Sequence, residues 1–216
     1  MKRSYFFSAL ILSAGLLTAC GNNTTETIYT HLEEAVQLEA PFGEQQEPLQ
    51  QAEQKEYELY EEIISLGMEQ YEKIVELADQ ALQSIEERTE FTKIEKESLQ
   101  ASYDEFMLIE EVVDQIDDEE EKNSLTALRE AMDARYESYQ TLSEYYSDAL
   151  SQDQELFTKL KQEDLTMEAL QQEIDHVNEI YENVEEAKDD FNQATENYNE
   201  LKKAYYETAG LNVSYE

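Results

Sequence analysis

Very little in this chain can break a helix. Between residue 22 and the C-terminus the only glycines and prolines are Pro41, Gly43, Pro48, Gly67 and Gly210. Over the same region apolar residues recur at steps of three and four, and the strict alternation of a strand is missing. Backbone of this kind buries its apolar stripe only by packing helix against helix. The chain is therefore expected to be all-α.

The rhythm is clearest near the end, where Met167, Leu170, Ile174, Val177, Tyr181, Val184, Ala187, Phe191, Ala194, Tyr198, Leu201 and Tyr205 form one seam. Thr166 is placed to cap its start, and Gly210 followed by Leu211 to stop it. Leu125, Leu128, Met132, Arg135, Tyr139, Leu142, Tyr146, Ala149, Leu156 and Leu160 make a matching seam upstream. Residues 162–165 read as the turn between two antiparallel partners.

Pro48 suits a first helical turn. From it a seam of Leu49, Ala52, Leu59, Ile63, Leu66, Ile74, Leu77, Ala81 and Ile85 runs to about Arg88. Thr92-Lys93-Ile94-Glu95 has the form of a capping box. It predicts a separate shorter helix with Ile94, Ala101, Leu108, Val112 and Ile116 inward. One continuous helix is the alternative, because no Gly or Pro separates Ile85 from Ile94. A small helix is expected near 27–39, on Ile28, Leu32, Ala35 and Val36. The expected architecture is an up-and-down bundle of long antiparallel helices, four-helix in type, with a short extra N-terminal helix. An extended dimeric coiled coil is the competing arrangement.

The N-terminus has a different character. Lys2 and Arg3 precede an apolar run from Tyr5 to Leu17, and Leu17-Thr18-Ala19-Cys20 follows. This is the layout of a secretory leader ending in a lipobox, with Leu17, Thr18 and Ala19 recognised by the signal peptidase and Cys20 lipidated. Each buried acyl methylene contributes about 0.8 kcal/mol, so two chains hold a protein on a bilayer stably. An uncleaved membrane helix would need about 20 residues, more than Tyr5 to Ala19 supplies. The expected organisation is a leader over 1–19, a lipidated tether over 20–25, a single helical domain over 26–210 and a tail over 211–216. Cys20 is the only cysteine, so the mature chain has no intramolecular disulfide, thiolate metal site or cysteine nucleophile.

Asp and Glu number 52 against 15 Lys and Arg, a formal charge of −37; removing Lys2 and Arg3 with the leader takes it to −39. Phosphate recognition needs clustered cations, so nucleic acid is excluded as a partner. Contact with an anionic bilayer falls to the lipid rather than the protein surface. Asp117-Asp118-Glu119-Glu120-Glu121 is the densest acidic run, but it lacks the Gly and spaced oxygen ligands of a calcium loop. It reads as a solvated turn, and divalent cations are expected only as nonspecific counter-ions.

No catalytic, metal or cofactor motif is present. The two histidines, His31 and His176, sit on separate helices, and a carboxylate within one turn of either is expected by chance in so acidic a chain. Fifteen tyrosines and no tryptophan include a concentration on the last two seams. Those on the seam read as core, with off-seam Tyr145 and Tyr206 as candidates for exposure. One strip on the last helix stands out: Asn178, Tyr181, Glu185, Lys188, Asn192, Thr195, Asn199, Lys202 and Tyr206. Its amides, hydroxyls and two cations suit glycan hydroxyls or peptide-stem carboxylates, or else the polar edge of a neighbouring helix. Asn178, Lys188, Asn192, Thr195, Asn199, Lys202 and Tyr206 are the candidate ligand-binding residues.

At this strip, Phe191-Asn192-x-x-Thr195-x-x-Tyr198-Asn199-x-x-Lys202-x-x-Tyr205 resembles the C-terminal helix of the YkyA-like lipoproteins of Gram-positive bacteria, a family named for cell-wall binding. Gln46-x-Pro48-Leu49, Glu95-Lys96-Glu97-Ser98, Met132-x-x-Arg135-Tyr136 and Asn178-x-x-Tyr181 extend the likeness over nearly the whole mature chain. The resemblance implies a helical bundle on the outer face of the membrane and brings no ligand residues to transfer. The strong negative charge argues against anionic wall polymers unless divalent cations bridge. The expectation is a non-enzymatic surface lipoprotein, held to the membrane through Cys20, that contacts peptidoglycan or a wall-associated protein. A scaffold for an envelope enzyme is the alternative, and an enzyme acting on wall polymers the one from another class.

Overall fold

The computed structural model describes residues 23–211 and residue 213. The leader, the lipobox and Cys20 lie outside the described residues. The fold is all-α, with four long helices packed antiparallel and no strand among the described residues. A short α1 (Asn23–Leu38) is followed by α2 (Ala40–Ser65), α3 (Tyr71–Met107), α4 (Glu119–Leu160) and α5 (Met167–Thr208). Among the described residues, no helix is long and apolar enough to cross a membrane. α1 begins at Asn23, inside the stretch expected to be tether.

The helix ends follow from local chemistry. Thr166 caps α5, its Oγ1 accepting from the Ala169 amide at 3.2 Å. At the other end Gly210 adopts φ +69°, and the Leu211 amide donates back to the Tyr206 carbonyl at 2.9 Å. That closes the terminus through a conformation only glycine takes without cost. Asp118 caps α4 by accepting from the amides of Glu120 and Glu121 at 2.8 and 3.0 Å. Part of the acidic run is thus a cap and a first turn, where negative charge complements the helix dipole.

The first half of the chain differs from expectation in four ways. The break falls at Gly67, which is extended (φ −92°, ψ 161°), and α3 then continues without interruption to Met107. Thr92 does not cap a helix. It lies inside α3 and donates to the carbonyls of Arg88 and Thr89, both at 3.1 Å. Pro48 lies within α2 rather than at its start; Pro41 occupies the first turn, where a missing N–H costs nothing. Ile94 and Leu108, expected inward, are exposed. Two 3₁₀ turns, Leu108–Glu111 and Val113–Gln115, lead from α3 to α4.

The chain divides into two compact units. Unit 1 comprises residues up to 43, 97–137 and from 192 onward, and unit 2 comprises 44–96 and 138–191. The core of unit 1 gathers Ile28, Leu32, Phe106, Ile109, Leu125, Leu128, Met132, Tyr198, Tyr205 and Tyr206. In the same unit Ser98 joins the end of α1 to the start of α2. Its hydroxyl donates to the Leu38 carbonyl at 2.6 Å and accepts from the Phe42 amide at 3.2 Å, pairing two groups the helix ends leave free. The core of unit 2 gathers Leu59, Ile63, Ile74, Leu77, Ala78, Ala81, Ile85, Leu150, Leu156, Phe157 and Leu160. Each large apolar side chain fully buried in such a core contributes roughly 1.5–3 kcal/mol.

Candidate functional site

Among the described residues, each unit holds one arginine in its interior. In unit 2, Arg88 is 1% exposed, and its Nη1 donates to Glu56 at 2.8 Å and Asp153 at 2.9 Å. Nε and Nη2 donate to the hydroxyls of Tyr146 and Tyr181 at 3.0 and 2.7 Å. Tyr181 passes its own proton to Asp153 at 2.6 Å, and Tyr146 passes its own to Glu53 at 2.5 Å. Burial, opposed by Arg88, pushes the Glu56 carboxyl up to about 7. In unit 1, Arg135 meets both oxygens of Glu39, donates from Nε to Thr195 Oγ1 at 3.1 Å and lies over the Tyr198 ring at 5.5 Å. Both guanidiniums are buried and internally paired, while Glu53 and Glu39 at the edges of the clusters keep partial exposure. The two clusters hold helices together.

The strip on α5 is largely consumed in the same way. In unit 2, Asn178 is exposed, Tyr181 belongs to the Arg88 cluster, and Lys188 pairs with Glu185 one turn away at 2.5 Å. In unit 1, Thr195 serves Arg135, while Lys202 is 7% exposed and pairs with Glu33 at 3.2 Å. Desolvation lowers the Lys202 ammonium from its ordinary range, and Glu33 opposes it. Tyr206, expected at the surface, is 1% exposed; its hydroxyl donates to Glu33 at 2.6 Å and its ring leans on Tyr29. Asn192 is half-buried with its Oδ1 unpartnered, and Asn199 is exposed. Of the candidate ligand-binding residues, Thr195, Lys202 and Tyr206 are turned to neighbouring helices, whereas Asn178 and Asn199 face water. Tyr145 is exposed, as expected.

A better-formed concavity lies elsewhere in unit 2. A groove of about 470 Å³ runs between α3 and α4, lined by Thr89, Thr92, Lys93, Lys96, Gln140, Ser143, Glu144, Ser147, Asp148 and Leu150. The hydroxyls of Thr89 and Thr92 spend their protons on backbone carbonyls of their own helix, which leaves oxygen lone pairs to accept. Gln140 Nε2 is buried and has no hydrogen-bond partner. A buried amide without a partner costs about 1–3 kcal/mol, which an acceptor on a ligand would recover. Lys93 and Lys96 form no ion pair with any described residue, unlike most cations of this acid-rich chain. The wall thus combines donors, acceptors, cations and carboxylates over a short span. In sequence, residues 89–96 resemble a helix junction, which hides the groove; the clustering of Thr, Lys, Gln and Ser on two facing helices is its trace.

The histidines are also separated. His176 is exposed on α5 in unit 2, and the neighbouring Glu173 is committed to Gln152 and Lys159. His31 on α1 in unit 1 meets Glu105 of α3, Nδ1 to Oε1, at 2.7 Å.

The model of the YkyA family, whose description is "Putative cell-wall binding lipoprotein", matches residues 23–208. The chain belongs to this family. It is 35% identical over 206 residues to a Bacillus subtilis (strain 168) protein named "Uncharacterized lipoprotein YkyA", covering 95% of this chain and 92% of that relative. A crystal structure of a conserved protein of unknown function from Staphylococcus aureus superposes with a TM-score of 0.62 at 14% identity. That match covers 87% of this chain and 98% of the other, and at such identity it speaks for the fold alone. Membership of the YkyA family agrees with the resemblance read from the α5 residues, although most of those side chains turn out to build the interior.

Proposed function

We propose that this protein is anchored by lipid on Cys20 to the outer face of the cell membrane and binds cell-wall material without catalysing a reaction. Cleavage before Cys20 would leave residues 20–22 ahead of α1, which begins at Asn23. The observation that carries the reading is the family match over nearly all the described residues, joined to a leader ending in a lipobox. The groove of unit 2 is the proposed contact. Its free amide and lysines suit the hydroxyl, amide and carboxylate groups of a peptide-bearing glycan, and its hydroxyl oxygens accept from sugar O–H groups. Neutral or zwitterionic wall polymer fits a chain of this charge better than polyanionic polymer.

Two experiments test this. Full-length protein in detergent should sediment with purified peptidoglycan, and the combined Lys93→Ala, Lys96→Ala, Gln140→Ala variant should sediment at least several-fold less. Sedimentation equal to wild type would remove the groove from the reading, and no sedimentation of either protein would remove wall binding itself. Separately, Cys20→Ser should shift the protein out of the membrane pellet. A variant still retained and cut at the same bond would contradict the anchor.

A further inference from the structure

We infer that His31, Glu34 and Glu105 form a site for one divalent transition-metal ion, of which zinc is the best match. This goes beyond wall binding and does not depend on it. His31 and Glu34 lie three residues apart on α1, and Glu105 comes from α3 in the same unit. One ligand atom from each lies within 4.8 Å of the others. An ion with bonds of about 2.0–2.2 Å bridges donors up to about 4.4 Å apart, so a rotamer adjustment of the exposed Glu34 closes the set.

The chemistry of the donors selects the ion. Calcium and magnesium take oxygen ligands, whereas an imidazole with two carboxylates suits zinc and its first-row neighbours. His31 is also the one histidine so placed: among the described residues no three-donor group forms around His176. Nearby Glu33 is not a competitor, because Lys202 and Tyr206 hold it. Glu34 and Glu105 line an open groove of about 520 Å³ in unit 1. The site is therefore reachable from solvent, and three protein donors leave a coordination position for water or an oxygen ligand. Without metal, the 2.7 Å contact between His31 and Glu105 is an ordinary hydrogen bond. With metal, both would ligate and α1 would be tied to α3.

The test is calorimetric titration of full-length protein in detergent with zinc chloride at 0.15 M salt, calcium chloride serving as control. The expected result is one high-affinity zinc equivalent, absent with calcium, together with a higher unfolding temperature. His31→Ala and Glu105→Gln should each weaken that equivalent at least about tenfold, as loss of one of three ligands requires. Glu34→Gln, at an exposed position that leaves folding unaffected, should weaken it as well. If His31→Ala and Glu34→Gln both bind zinc like wild type while keeping wild-type circular dichroism, or calcium binds equally, the ion is associating with acidic surface and the assignment fails.

Discussion

Arg135 meets Glu39 fork to fork, with Nη1 to Oε1 at 2.6 Å and Nη2 to Oε2 at 2.8 Å. Ser102 adds a third donor to the same carboxylate at 2.8 Å. Arg135 is 3% exposed, and its charge is met in the interior by the Glu39 carboxylate. Glu39→Gln should lower the unfolding free energy by about 3 kcal/mol, the scale for a buried charge deprived of its partner. Arg135→Lys should not be tolerated much better, since an ammonium cannot make the two parallel bonds. Urea denaturation at pH 7 checks both.

Arg88 gives a contrasting expectation. Arg88→Ala alone leaves Glu56 and Asp153 buried together and should cost about 3–5 kcal/mol. Replacing the cluster as a whole (Arg88→Met, Glu56→Leu, Asp153→Leu, Tyr181→Phe) removes every polar group that would be left unpaired. Stability should then return to wild type or exceed it by about 1–4 kcal/mol. A quadruple variant as unstable as the single one would show that the pairing itself, and not desolvation, dominates.

Glu95 sets a pH dependence. It is 6% exposed, and burial together with the nearby Glu53 pushes its carboxyl up to about 8. The folded chain thus holds this proton to higher pH than the unfolded chain, which releases it near 4.5. The contribution is fully present below about 4.5 and disappears as pH rises through 8. Glu56, raised to about 7, acts with the same sign. Between pH 5 and pH 9 stability should fall by on the order of a few kcal/mol, and Glu95→Gln should remove much of that slope. Denaturation midpoints across the range give the measurement, and a Glu95→Gln slope equal to wild type would contradict it.

The two ends of α5 predict smaller effects. Gly210→Ala meets no neighbouring atom within 4 Å, so its cost is that of the left-handed backbone alone, about 1 kcal/mol. Thr166→Ala removes a cap worth about 1 kcal/mol. Thermal unfolding should show both as modest downward shifts with the fold unchanged.

These ends were legible in the sequence because capping is local: Thr before an amphipathic run and Gly after it need no tertiary information. So were the seams of α4 and α5, including the place of Arg135 among leucines, except that Met167 at the start of α5 is exposed rather than on the seam. The junction in the first half was not. Arg88, Thr92 and Glu95 continue the three-four rhythm after Ile85, but with polar side chains, and a polar stretch reads as surface until the partners that bury it are known. Those partners, Glu56, Asp153 and Tyr181, come from distant parts of the chain. Tyr206 failed for a related reason: α1 covers a second flank of α5, so adjacent Tyr205 and Tyr206 are both buried. A periodicity argument allows for one covered face, and the short helix supplied another.

The lone guanidinium inside each unit has a consequence for how the helices choose among alignments. Seams of leucine, isoleucine and alanine interlock almost equally well when one helix slides past another by a turn, about 5.4 Å. Such a slip would carry Arg88 away from Glu56 and Asp153, or Arg135 away from Glu39, and strand an ion in hydrocarbon. Such a penalty would disfavour slippage at the cost of some stability. If that is the role of Arg88, the quadruple variant should show more than one set of amide resonances even where its melting point is higher.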